Sequence, residues 1–250
     1  IDVKTRHLSF SKFSDPVSDK FEVFRKGKFV RTLLPINFEL CPFNNGKAGS
    51  TIISKLTYLR VLSFCDFKAL DALPDSIGDL IHLRYLNLSS TSIGTLPESV
   101  CKLYNLQTLK LNNCILLTKL PVGIKNLVNL RHLDINPTYI EEMPGGIGKL
   151  HHLQHLNFFI VGNHKDNSIK ELGGLSNLHG SLSIRSLENV TKSNEASEAR
   201  IMDKHINSLS LEWSTRCQFK WNNNGIDFKI ELDVLYKLQP HQDLESLSIS

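Results

Sequence analysis

The chain reads as an α/β solenoid, a stack of coils in which short parallel strands form a concave sheet and irregular, turn-like or helical segments return on the convex side. Three observations lead there. An LxxLxL motif recurs at nearly constant spacing, a second motif built on a proline recurs between its copies, and the apolar positions of both are placed to fill one shared interior.

The strands come first. Leu59-Arg60-Val61-Leu62-Ser63-Phe64 is followed by Leu83 to Leu88, Leu106 to Leu111, Leu130 to Ile135 and Leu153 to Phe158, with first leucines 24, 23, 24 and 23 residues apart. Such a period is the mark of a leucine-rich repeat, in which each motif supplies one short strand of a horseshoe. A unit of this kind cannot cover its own apolar edge, so the coils must stack continuously.

The return segments are as regular. Leu73-Pro74-x-x-Ile77-Gly78-x-Leu80 recurs from Leu96-Pro97, Leu120-Pro121 and Met143-Pro144, always with apolar residues three and six positions past the proline. Proline fixes φ and lacks a backbone donor, so this half is predicted as a tight turn or short helical piece and not a second strand.

On either side the pattern loosens. Residues 1–58 read as degenerate repeats, with strands at Arg6–Phe10 and Val30–Pro35 that place Leu8 and Leu33 equivalently, an irregular stretch at Asp15–Phe24 and a loop at Asn44–Ser50. Residues 59–162 hold the regular repeats. Residues 163–250 are variant repeats that continue beyond the C-terminus, with a polar insertion at Asn163–Ser168 and one additional residue in the strand Leu178 to Ile184. Longer convex helices are predicted over Ser193–Asp203, with Ala196, Ala199 and Met202 on one face, and over Ile230–Leu238, ended by Pro240.

Composition narrows the function. A net charge of +4, with both signs interspersed, offers no basic block for nucleic acid. No window is long and apolar enough for a membrane span, and no leader-like segment opens the chain. The five cysteines are scattered with no CxxC pair, which points to a reducing, cytoplasmic setting. The chain opens on Ile1 and closes inside a repeat, so a longer parent chain is expected.

Strand alternation selects the residues a partner could touch. With the leucines inward, Val61, Tyr85, Thr108, His132 and His155 form one outward column, and Ser63, Asn87, Lys110, Asp134 and Asn157 form a second, with Phe159 beyond it. Tyr85, Asn87, Lys110, His132, Asp134, His155, Asn157 and Phe159 are therefore the candidate protein-binding residues. Lys110 and Asp134 are also placed to pair across neighbouring strands.

No catalytic set accompanies them. There is no phosphate loop, nucleophile elbow or HExxH motif, and Pro144-Gly145-Gly146-Ile147-Gly148 is a repeat turn without the context of a dinucleotide fingerprint. No enzyme, cofactor or metal site is expected: His132 and His155 are two imidazoles without a third ligand. His151 and His152 read as a solvated turn, and the glycosylation-like triplets at Asn87 and Asn189 read as incidental.

The LPxxIGxL cadence joined to LRxLxL strands resembles the leucine-rich-repeat region of plant coiled-coil, nucleotide-binding disease resistance proteins. Leu172-Gly173-Gly174-Leu175, Leu178-x-Gly180-x-Leu182-x-Ile184, Leu187-Glu188-Asn189-Val190 and Leu209-x-Leu211-x-Trp213 resemble the variant block of their RPP13-like subgroup. Val234-Leu235-x-x-Leu238-Gln239-Pro240-His241 continues the likeness, as does Arg6-His7-Leu8-Ser9 at the start.

That resemblance implies a domain that restrains the receptor by packing on its nucleotide-binding module, with contacts near Arg6 to Leu62, and that perceives a pathogen effector directly or through a guarded host protein. ADP and ATP would then be bound only by a module outside this segment. The alternatives are a stand-alone adaptor or truncated receptor that acts only as a protein-binding scaffold, and an extracellular ectodomain.

Overall fold

The computed structural model describes residues 4–11, 29–37, 53, 55–213 and 226–250. The chain forms two compact units, Ile1–Ile140 and Glu141–Ser250. The segments Asp15–Phe24 and Asn44–Ser50 lie outside the described residues.

In the first unit six parallel strands lie side by side in chain order: β1 (His7–Ser11), β2 (Thr32–Asn37), β3 (Val61–Ser63), β4 (Tyr85–Asn87), β5 (Thr108–Lys110) and β6 (His132–Asp134). Their register sets Leu33, Leu62, Leu86, Leu109 and Leu133 against one another, and all five are at most 1% exposed. Leu8 pairs with Leu33, as their equivalent places predict. Each such leucine contributes roughly 1.5–3 kcal/mol relative to exposure, and none could do so without the coil on either side.

Strands β3, β4 and β5 are short because the chain leaves each of them in the same way. Asp66, Ser90 and Asn113, one per coil, adopt left-handed backbone with φ of 64°, 59° and 60°. Asp and Asn are the side chains that tolerate this region best. The following residue, Phe67, Thr91 or Cys114, turns back into the core.

The proline segments are 3-10 turns at Asp75–Asp79, Glu98–Lys102 and Val122–Asn126, each preceded by its proline in extended backbone. A proline there forfeits nothing, since the first donors of a helical turn have no internal acceptor. The residues three and six past it, from Ile77 and Leu80 to Ile124 and Leu127, are fully buried. Upstream, Ile53 and Leu56 are buried in the equivalent role.

Polar side chains stitch neighbouring coils. The Glu98 carboxylate accepts the N–H groups of Val122 and Gly123 at 2.7 and 3.1 Å, satisfying donors at the start of the next turn. Asn105 donates to the Ile81 carbonyl at 2.8 Å and Asn129 to the Tyr104 carbonyl at 2.7 Å.

The second unit begins with a 3-10 turn at Ile147–Lys149 and a short strand, β7 (His155–Leu156). Its four-stranded parallel sheet runs β8 (Phe158–Ile160), β9 (His179–Arg185), β10 (His205–Leu211) and β11 (Ser246–Ile249). The polar insertion is anchored by buried Asn167, whose Oδ1 accepts the His164 N–H at 3.0 Å and whose amide donates to Glu142 at 3.3 Å. In place of the proline segment a 3-10 turn, Ile169–Gly174, buries Ile169 and Leu172. Gly174 packs so closely on Gly148 that an added Cβ would lie 2.2 Å from the Gly148 carbonyl oxygen.

Both longer convex segments are helical, with one correction to each. The first is α1 (Ser193–Glu198), after which Arg200 takes a φ of 51° and a separate 3-10 turn, Ile201–Asp203, follows. That break rotates the face: Ala196, Ala199 and Ile201 are buried, whereas Met202 is 54% exposed. The second, α2 (Ile226–Lys237), starts earlier than Ile230, and Val234 and Leu238 carry its buried edge.

Candidate protein-recognition surface

In the first unit the outward columns form as the alternation requires. Val61, Tyr85, Thr108 and His132 are register partners on β3 to β6, and Ser63, Asn87, Lys110 and Asp134 are a second set beside them. Tyr85, Asn87, Lys110, His132 and Asp134 are all half-buried, lying partly against one another on the sheet.

Hydrogen bonds hold this face in order before any partner arrives. The Asn87 amide reaches the Tyr85 hydroxyl at 3.4 Å, while its carbonyl accepts the Ser89 N–H at 3.0 Å. Ser89 Oγ is in turn hydrogen-bonded to Asn112 Oδ1. A side chain already fixed loses less freedom on binding, so such a network favours recognition. It also occupies Asn87, and Asn189 donates to the Val161 carbonyl at 2.8 Å, so both triplet asparagines serve the fold.

In the second unit His155 and Asn157 are exposed, and His155 meets the His179 ring edge-on at 4.4 Å. His132 and His155 belong to different units. Phe159 corrects the sequence reading: it is fully buried. The strand is interrupted at Asn157, so the alternation counted from Leu156 is lost. Restarting at β8, Phe159 becomes the register partner of buried Ile184 and follows it into the core. Its neighbour Phe158 is capped by the Arg185 guanidinium, 4.2 Å from the ring centroid, and Arg185 pairs with Glu212 at 3.3 Å.

One feature of the open face was missed in the sequence. At the residue just before each strand, Arg6, Arg31, Arg60, Arg84, Gln107 and Arg131 follow one another across the first unit, each amide hydrogen-bonded to the carbonyl of the one before. Arg31, Arg60, Arg84 and Arg131 are exposed. Adjacent strands lie about 4.8 Å apart, so Arg31, Arg60 and Arg84 form a run of like charge, which neutral Gln107 separates from Arg131. Arg6 also lies over the Phe29 ring at 5.3 Å, next to a stack of Tyr58 on His82 at 5.8 Å. The signal was the repeated Leu-Arg dipeptide.

Two thiols in the described residues are held away from reactivity. Burial, then the Glu98 carboxylate, pushes Cys101 up to about 12. Partial burial and Asp66 raise Cys65 as well, the reverse of what activates a nucleophile.

These coils, with their strand motif, proline turn and parallel register, match the leucine-rich repeat region family over residues 40–248. The chain belongs to that family. Among curated relatives, this leucine-rich repeat region is 44% identical to Putative disease resistance RPP13-like protein 1 of Arabidopsis thaliana over 98% of the chain, and 45% identical to Disease resistance protein RGA2 of Solanum bulbocastanum over 79%. It spans 24% and 20% of their lengths. Among solved structures, an LRR protein of Leptospira interrogans, LIC12759, shares the fold with a TM-score of 0.63 at 21% identity, covering 98% of this chain and 55% of that one. No helix among the described residues is long and apolar enough to cross a membrane.

Proposed function

We propose that this leucine-rich repeat region is the recognition and autoinhibitory sensor of an intracellular plant immune receptor. The similarity to plant disease resistance proteins across 98% of the chain carries the reading. The pre-ordered face around Tyr85, Lys110, His132 and Asp134 supports perception of a pathogen effector, directly or through a guarded host protein. The arginine column, beginning at Arg6, Arg31 and Arg60, supports docking on an acidic surface of the receptor's own nucleotide-binding module. ADP and ATP belong to that module. Free thiols at Cys65, Cys101 and Cys114 fit a reducing, cytoplasmic setting.

The test separates the two surfaces in the full-length receptor expressed in leaf tissue. Replacing Arg31, Arg60 and Arg84 with Glu should release defence signalling without an effector, while Tyr85→Ala with His132→Ala should abolish triggered signalling and leave the resting state quiet. Wild-type behaviour of both variants at normal abundance would sink the proposal.

A further inference from the structure

The second unit carries a line of four histidines, three at the starts of β7, β9 and β10 and the fourth, His241, in the turn before β11. His155 touches His179 at 4.4 Å between ring centroids, His179 is the register partner of His205, and the His205 and His241 rings lie 4.9 Å apart.

At the end of this line a carboxylate joins them. His241 and Asp243 share a turn closed by the Leu244 N–H on the His241 carbonyl at 3.1 Å, and the Glu245 N–H on the Asn207 carbonyl at 2.8 Å ties that turn to β10. His241 Nδ1 and Asp243 Oδ2 are 3.1 Å apart. The candidate ligand atoms of His205, His241 and Asp243 all lie within 4.8 Å of one another.

We propose that His205, His241 and Asp243 bind a divalent transition-metal cation of the Zn2+ class. Two imidazoles and one carboxylate are a donor set suited to Zn2+, with a fourth place for water. Bonds of about 2.0–2.1 Å put the edge of a zinc tetrahedron at about 3.3–3.4 Å, close to the His241–Asp243 separation, and the cation would displace the Asp243 N–H that His241 Nδ1 accepts at 3.2 Å. The His205 ligand atom lies within 4.8 Å of the other two, so this exposed side chain must draw closer to complete the site. A cation there would pin the α2-to-β11 turn onto β10.

The purified chain is titrated with Zn2+ by calorimetry and with Co2+ by visible absorption. Saturable binding of a single equivalent is expected, with Co2+ bands from nitrogen and oxygen ligands and no thiolate charge transfer. Binding should weaken in acid, since imidazole ligates only when neutral. His205→Gln, His241→Gln and Asp243→Asn should each lower affinity by at least about tenfold, whereas His132→Gln in the other unit should not. Circular dichroism establishes that each variant is folded. No binding by the wild-type chain, unchanged affinity in a folded His205→Gln/His241→Gln variant, or a thiolate spectrum overturns the proposal.

Discussion

Thr91 and Cys114 converge on the same acceptor: the Thr91 hydroxyl donates to the Leu88 carbonyl at 2.7 Å and the Cys114 thiol at 3.0 Å, with the two side chains 3.5 Å apart. Among the described residues no backbone N–H reaches that carbonyl. Both side chains are buried, so together they satisfy an acceptor that water cannot reach. Thr91→Val alone should cost about 0.5–1.5 kcal/mol, because the thiol remains. Removing both, with Cys114→Ala, strands the carbonyl and should exceed the sum of the single effects by about 0.5–3 kcal/mol in urea unfolding. Additive losses would mean that the two donors act independently.

Lys204 is 1% exposed and sits just before β10, in the place Leu178 takes before β9. Burial lowers its ammonium from 10.5 to about 8, with Asp203 opposing and Arg200 adding to the shift. Between those values the unfolded chain keeps a proton that the folded one has released, so stability rises with pH through this window. Below it the cost of the buried charge is fully present. Lys204→Met should therefore stabilise the protein at neutral pH by roughly 1–3 kcal/mol and flatten the rise above pH 8, measured by unfolding across pH. Destabilisation at every pH would show that the ammonium holds the coil together.

The arginine column makes a claim about salt. Exposed like charges on neighbouring strands repel through solvent, and added salt screens them. The wild-type chain should gain thermal stability as salt rises from low to physiological strength, and Arg60→Gln with Arg84→Gln should lose most of that gain while folding normally. An identical salt slope in both would remove the column from the electrostatics of the fold.

Phe159 and Tyr85 now make opposite predictions. Phe159→Ala should cost about 3–5 kcal/mol, since it empties a buried site. Tyr85→Ala should change stability by less than about 1 kcal/mol, because the ring lies on the sheet's open face.

The regular coils were legible because the spacing of leucine and proline directly encodes burial, and the register among Tyr85, Thr108 and His132 follows from it. What escaped depends on non-local pairing. The break at Asn157 that turns Phe159 inward is set against β9, and the left-handed Arg200 that exchanges Ile201 for Met202 leaves no composition signal. His205 and His241 are likewise far apart in sequence and meet only once β10 and β11 pair. The arginines stand in the repeated Leu-Arg dipeptide, one position before the strand residues that alternation selects.

The links from Glu98 forward to Val122 and from Asn105 back to Ile81 leave each coil dependent on its immediate neighbours alone. Unequal recombination that duplicates or drops a block of 23 or 24 residues would set like beside like, heal the seam and move an intact surface column to a new height. A cut out of step with that period would orphan a carboxylate and a leucine together. The architecture thus permits a repertoire of surfaces to diversify by whole modules while the scaffold beneath them stays the same.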